Sequence, residues 1–176
     1  TFHSTVWLPV CQLVGPPIYP YVKSLLAHPE LRDLWRLKVY QGMGGCGGAI
    51  AVPDLVAMIR ANEGEEGQPD RVACMQGLGL TYAVEAIEPL KEGLRDPDEK
   101  VREMALEGLL EIASLKKTET IAPLCSILIP ELRRAEKAKT RRLILDSLRD
   151  LTGVTDLPDT APAWEEWWRS NGGKIE

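Results

Sequence analysis

Apolar residues between Ala83 and Ser114, AVEAIEPLKEGLRDPDEKVREMALEGLLEIAS, recur at helical intervals, stop, and resume. Ala83, Ala86, Ile87, Leu90 and Leu94 make one stripe; Val101, Met104, Ala105, Leu109 and Ile112 make the next. Steps of three and four residues mark one face of an α-helix. Between the stripes stands RDPD, in which Pro97 cannot continue the first helix and Asp98 can cap the second. The pattern predicts two amphipathic helices joined by a sharp turn.

The rest of the chain reads as imperfect copies of this hairpin, registered on an Arg followed six residues later by a small residue. The pairs are Arg36 and Gly42, Arg71 and Gly77, Arg102 and Gly108, and Arg141 and Ser147. A residue that can be buried stands three after each Arg (Val39, Cys74, Ala105, Ile144), and a large apolar one follows each small residue (Met43, Leu78, Leu109, Leu148). Intervals between the arginines differ only by loop length. The partner helices align through Ile18-Tyr19-Pro20, Ile87-Glu88-Pro89 and Ile121-Ala122-Pro123, with Ala51 to Leu55 as a shifted version. Proline is tolerated in the first turn of a helix, where N–H groups have no intrahelical partner.

First helices are therefore expected at about 17–27, 50–61, 84–95 and 118–135, and second helices at about 31–46, 69–82, 99–114 and 138–152. NEGEEGQPD, Asn62 to Asp70, reads as a polar inter-helix loop. Each pair has too little core alone, so neighbours must supply the burial. From Gly153 to Ala163 the pattern lapses, and a last helix from Ala161 to Ser170 follows, with Thr160 or Asp159 at its start and Asn171-Gly172 at its end. The expected organisation is 1–15 as the remnant of a preceding repeat, 16–153 as the repeat domain, and 154–176 as a connection and Trp-rich capping helix.

Composition changes this picture little. The 176 residues are 44% hydrophobic and 27% charged with a single Phe, which suits a Leu- and Ala-rich helical protein with a substantial core. A net charge of −5 argues mildly against a general binder of nucleic acid or anionic membrane. No apolar run approaches the roughly 18 residues expected of a membrane-spanning helix. Cys11, Cys46, Cys74 and Cys125 are widely spaced within apolar pattern, with no CxxC, and are expected as buried free thiols. Free thiols weakly favour the cytoplasm. Thr at position 1 points to a processed or truncated product, which leaves a secreted or envelope-associated origin open.

The segment Asp96-Pro97-Asp98, Val101-Arg102, Ala105 and Gly108-Leu109 is similar to the core of the HEAT-repeat family, especially its bacterial branch related to phycobilisome lyases. The likeness is specific around residues 83–113, looser at 31–82, and reaches 152 through the register above. Leu151-Thr152-Gly153, Asp159 and Trp164-Glu165-Glu166-Trp167-Trp168 resemble a C-terminal element of planctomycete-type HEAT proteins. The resemblance implies an all-α, right-handed α-solenoid of about four hairpins whose second helices line a concave surface. It also implies that Arg36, Arg71, Arg102 and Arg141 are structural arginines, with Asp70 and Asp98 as turn acids.

Gly42-Met43-Gly44-Gly45-Cys46-Gly47 satisfies GxGxxG, and Leu37 to Tyr40 could be the strand before it. Pro53 falls inside the would-be helix and no second strand follows, so close helix packing is the preferred reading. The four arginines could bind anions, but pairing with turn acids or carbonyls is favoured. Trp164, Trp167 and Trp168 share one helix face and suit the closing of a terminal repeat, or else an aromatic groove. Arg133, Arg134, Lys137, Lys139, Arg141 and Arg142 form a basic run broken by Glu136, read first as a solvated turn and second as a phosphate or acidic-peptide contact. With only His3 and His28 present, the His-Glu pairs of HEAT-fold di-iron enzymes are missing.

The set most suggestive of binding lies five residues after each registered Arg: Gln41, Gln76, Glu107 and Asp146, flanked by Glu103, Glu111 and Asp150. This ladder suits a groove for an extended or helical segment of basic character. The expected function is a non-catalytic scaffold that binds a protein or peptide through the concave face of a short solenoid, without cofactor or metal. The alternatives are a bilin-lyase-like enzyme or chromophore handler, with Cys46 or Cys74 as adduct site, and a nucleic-acid binder acting through the 133–142 turn.

Overall fold

Helices appear where the periodicity places them. The computed structural model describes residues 4–28 and 33–172, and every regular element among these is helical. Helix α1 spans Ser4–Val14, and a 3-10 turn at Pro16–Ile18 leads into α2, Tyr19–Ser24. Then come α3 (Asp33–Gly47), a 3-10 turn at Gly48–Ala51, α4 (Val52–Ala61), α5 (Gln68–Gly79) and α6 (Ile87–Gly93). The series continues with α7 (Glu99–Ser114), α8 (Thr118–Arg134), α9 (Ala138–Thr152) and α10 (Ala161–Asn171). His3, Pro29 and the start of the helix expected from residue 31 lie outside the described residues. The chain divides into two compact units, Thr1–Leu109 and Leu110–Glu176, and the division falls within α7.

In the first unit α3 is the central element, packing against α1, α2 and α5, while α5 also packs on α4 and α6. Its core holds Cys11, Val22, Met43, Leu55, Cys74, Leu78, Leu90 and Leu109, each fully buried. Glycines decide how closely the longer helices meet. A Cβ added at Gly44 would lie 1.9 Å from the Gly77 carbonyl oxygen, and one at Gly79 would lie 2.6 Å from the Gly108 Cα. Backbone therefore meets backbone where α3 crosses α5 and where α5 crosses α7. The GxGxxG run belongs to this packing: Leu37 to Gly47 lies entirely within α3, so neither a strand nor a phosphate-cradling loop forms there.

One expectation needs correction. Trp35–Ala61 is long and apolar enough to cross a membrane, whereas the sequence pattern suggested no such run. The charge-poor glycines of α3 and the apolar start of α4 add up across a boundary that inspection by run length misses. This stretch bends at Gly48, whose φ is 53°, and places Val39, Met43, Cys46, Ala51 and Leu55 in the interior of the first unit.

Helix ends follow local chemistry. The Asp98 carboxylate accepts the N–H of Lys100 at 2.9 Å and of Val101 at 3.2 Å, capping α7 as expected. α5 stops at Gly79 rather than near 82, because Thr81 turns its hydroxyl back to the Leu78 carbonyl at 2.6 Å and Tyr82 adopts φ 51°. Gly153, at φ 72°, terminates α9 with its N–H on the Arg149 carbonyl at 2.8 Å. Thr160 holds the N-cap position of α10 but makes no side-chain cap bond. Pro20 and Pro53 sit in first turns as expected, whereas Pro123 and Pro130 lie inside α8. Both are exposed, as are Glu119 and Ser126, whose carbonyls lose a helical donor to them and can meet water instead.

In the second unit α8 packs against α9 and α10. Leu124, Leu128, Ile129, Ile144, Leu148 and Trp164 are its largest fully buried side chains, and Ile112 from the end of α7 is fully buried as well.

Helix propensity and packing predict opposite signs at Gly44. Gly→Ala in an open helix interior stabilises by about 1 kcal/mol. Here the methyl has no space beside the Gly77 carbonyl, and overpacking of this kind costs about 1–3 kcal/mol or more. Gly44→Ala is expected to lower the urea midpoint, and a raised midpoint would show that the helices do not meet this closely.

Candidate functional site

The registered arginines are the first candidates, and they turn inward to their own framework. Arg36 on α3 pairs with Asp70 at the start of α5, Nε to Oδ1 at 2.8 Å. Asp70 is 4% exposed, and burial together with this nearby negative charge raises the pKa of buried Tyr40. Arg71 forms a two-pronged pair with Asp96, Nε at 2.9 Å and one terminal nitrogen at 3.1 Å. Its other nitrogen donates to the Asn62 carbonyl at 2.8 Å and the Gly64 carbonyl at 2.5 Å. Arg71 thus fastens the 62–67 loop, the start of α5 and the turn before α7 while only 5% exposed. Arg102 donates to the carbonyls of Asp96 and Pro97, both at 2.7 Å, and Arg141 to that of Ala135 at 2.8 Å.

Asp70 serves as a turn acid, but the partner of Arg71 is Asp96, a residue the register did not single out. Asp98, two positions on, caps α7 and receives the Gln68 side-chain amide at 3.2 Å. Slight desolvation raises the pKa of Asp98, but the Gln68 amide, the Val101 and Lys100 N–H groups and the Arg71 charge outweigh it and hold the carboxyl below its ordinary range. Another tie escaped the pattern altogether. Asp54 on α4 receives the Tyr19 hydroxyl at 2.5 Å and the Lys23 ammonium at 2.6 Å, joining α2 to α4.

The expected ladder resolves into parts of different character. Gln41 and Gln76 bond each other, amide nitrogen to amide oxygen at 2.7 Å, with Lys38 on Gln41 at 3.1 Å and the Met104 sulfur 3.1 Å from the Gln76 amide. These half-buried amides are committed to linking α3 and α5. Glu103, Glu107 and Glu111 are all exposed, one turn apart along a single face of α7. Among the described residues neither Glu107 nor Glu111 takes part in an ion pair. In the second unit Asp146 stands between Arg142 at 3.7 Å and Arg149 at 3.5 Å, and Asp150 meets Lys116 at 3.4 Å. The two aspartates are therefore largely offset by local cations.

The basic run is offset in the same way. Arg133 pairs with Glu165 at 2.6 Å, Arg134 pairs with Glu131, and Arg141 is bonded to its own turn. On α10, Trp164 is fully buried and Trp167 and Trp168 are half-buried; Trp167 meets Trp164 edge to face with ring centres 5.9 Å apart and lies tilted to Trp168 at 6.2 Å. The Trp164 indole N–H has no acceptor among the described residues, so its place in the core rests on shape and apolar contact.

All four cysteines are free and buried. Burial raises the thiol pKa throughout, to about 11 at Cys46 and about 12 at Cys125, so neither presents a ready thiolate at neutral pH. Cys46 and Cys74, the residues considered for a pigment adduct, are 2% and 0% exposed. No group of three or more His, Cys, Asp or Glu side chains converges in metal-binding fashion among the described residues. In comparisons with known proteins, no family model, no curated protein and no solved structure matches this chain.

Removing one member of a buried ion pair strands the other, at a cost of about 3–5 kcal/mol. Arg71→Ala is expected to destabilise the first unit by that amount, measured by urea unfolding. A loss below about 1 kcal/mol would mean that the Arg71 clamp does not hold the loop and turn together.

Proposed function

We propose that this chain is a HEAT-like helical-repeat module that binds a basic protein segment along the exposed acidic face of α7. The observation that carries the reading is the run of exposed carboxylates at one-turn spacing on that face. Glu103, Glu107 and Glu111 are exposed one helical turn apart, and among the described residues Glu107 and Glu111 take part in no ion pair, whereas Asp146 and Asp150 have cations beside them. Carboxylates one turn apart are spaced about 6 Å along the axis. Alternate residues of an extended chain are spaced about 6.6–6.8 Å, so Lys or Arg at every second position of a peptide would track the row.

The helical-hairpin periodicity, the arginine register and the backbone contacts between α3, α5 and α7 support the HEAT-like assignment. A rigid row of helices suits such a role, because an already ordered surface binds with little loss of its own conformational freedom. The four registered arginines are bonded within the framework, so they do not offer a cationic row to a partner, whereas the carboxylates of α7 are exposed. Electrostatic recognition at an exposed face acts mainly on association rate and specificity, and weakens with salt.

The test is fluorescence anisotropy with a labelled peptide carrying Lys at alternate positions, against the native chain and the triple variant E103K/E107K/E111K. The reading predicts binding that weakens as salt rises and falls at least about tenfold in the triple variant, since each tenfold is about 1.4 kcal/mol. Equal binding by both proteins, or none by the native chain, would remove α7 as the binding face.

A further inference from the structure

Cys11 on α1 and Cys46 on α3 are far apart in sequence, yet the fold brings Cys11 against the stretch of α3 that carries Cys46, near enough for each thiol to influence the other's ionisation. The glycines of α3 make that meeting close. A Cβ at Gly42 would lie 2.7 Å from the Trp7 indole nitrogen and 3.2 Å from the Cys11 sulfur. One at Gly45 would stand 2.8 Å from a Leu8 methyl and 4.0 Å from the Cys11 Cβ. Cys46 follows directly, one turn beyond Gly42, so it faces the same groove. At rest the Cys46 thiol donates to the Met43 carbonyl within its own helix at 3.9 Å.

The attachment of α1 makes a covalent link consequential. Its directional tie to α3 is the Trp7 indole N–H on the Lys38 carbonyl at 2.9 Å. The α1 sequence STVWLPVCQLV carries no charged side chain, so ion pairs cannot help to anchor it. Its opposite face leaves Val10, Leu13 and Val14 open to solvent, Leu13 by 87%. The segment therefore rests on apolar packing against α3, with buried Cys11 in that contact.

We propose that Cys11 and Cys46 form a peroxide-responsive dithiol that closes into a disulfide and staples α1 to α3. One sulfur, deprotonated during transient opening of α1, attacks hydrogen peroxide and breaks its O–O bond, giving a sulfenic acid and hydroxide. The second sulfur then attacks the sulfenic sulfur and breaks the S–O bond. The S–S bond forms, and the two thiol protons with the two peroxide oxygens and their hydrogens leave as two waters. Two electrons pass from the thiols to the peroxide, so the step balances without another reagent. Both thiols are buried and protonated at rest, which makes the reaction slow and tied to opening of α1.

The experiment treats the native, reduced chain with hydrogen peroxide and then counts thiols, maps peptides by mass spectrometry and follows thermal unfolding. The expected result is loss of two of the four thiols, a linked peptide pair containing Cys11 and Cys46, and a raised Tm that returns to its starting value on reduction. Cys11→Ala and Cys46→Ala should each abolish the linked pair, while Cys74→Ala should leave it in place. Unreacted thiols, oxidation beyond sulfenic acid without a link, pairing through Cys74 or Cys125, or a lowered Tm in the linked protein would each overturn the proposal. The linked-peptide readout in the native chain does not depend on whether any alanine variant folds.

Discussion

Backbone-to-backbone contact between the long helices of the first unit is the constraint on which its other features rest. At Gly44 against Gly77, and at Gly79 against Gly108, no side chain separates one helix from the next. Helices that meet this closely bring their polar side chains within bonding range. Gln41 then reaches Gln76 at 2.7 Å, and Arg36 reaches Asp70 at 2.8 Å. A larger residue in the contact would lengthen both. Glycine in a helix interior sacrifices helical propensity, and here that cost is offset by contact no other residue could make.

Charge is sorted by what the packing leaves available. Arg36, Arg71, Arg102 and Arg141 look from sequence alone like a cationic row, yet each is bonded to a carboxylate or to turn carbonyls. Buried pairs of this kind add little net stability compared with apolar packing, and their strength lies in fixing one arrangement among several. On α9 the acids and bases alternate along the helix and largely cancel. On α7, by contrast, Glu103, Glu107 and Glu111 stand exposed one turn apart, and among the described residues Glu107 and Glu111 take part in no ion pair. The proposed binding function rests on that asymmetry rather than on net charge.

The helical pattern was legible because apolar steps of three and four, proline and Asp98 each act over a few residues. Helix α7 was expected at 99–114 and is found there, since both its cap and its stripe are local. What escaped the sequence lies between segments. Asp96, Asp70 and Asp98 are all acids near turns, and only the folded backbone decides that Asp96 takes Arg71 while Asp98 caps α7. The Tyr19–Asp54 bond and the Cys11–Cys46 contact join residues of unrelated local pattern. Gln41 and Gln76 were correctly placed side by side, but their bond to each other removes them from a partner's reach. Asp146 was read as part of an acidic strip, although Arg142 and Arg149, each within one turn of it, already signalled a helix that neutralises itself.

The central claim is that α3 and α5 form one cooperative body, locked by glycine contacts and arginine clamps rather than merely adjacent. Native-state hydrogen exchange, read residue by residue, tests it most directly. The slowest amides of α3 and α5 should exchange with one common opening free energy, and should fall together when Gly44 is changed to Ala. Separate opening energies for the two helices, or a Gly44→Ala effect confined to α3, would contradict the account.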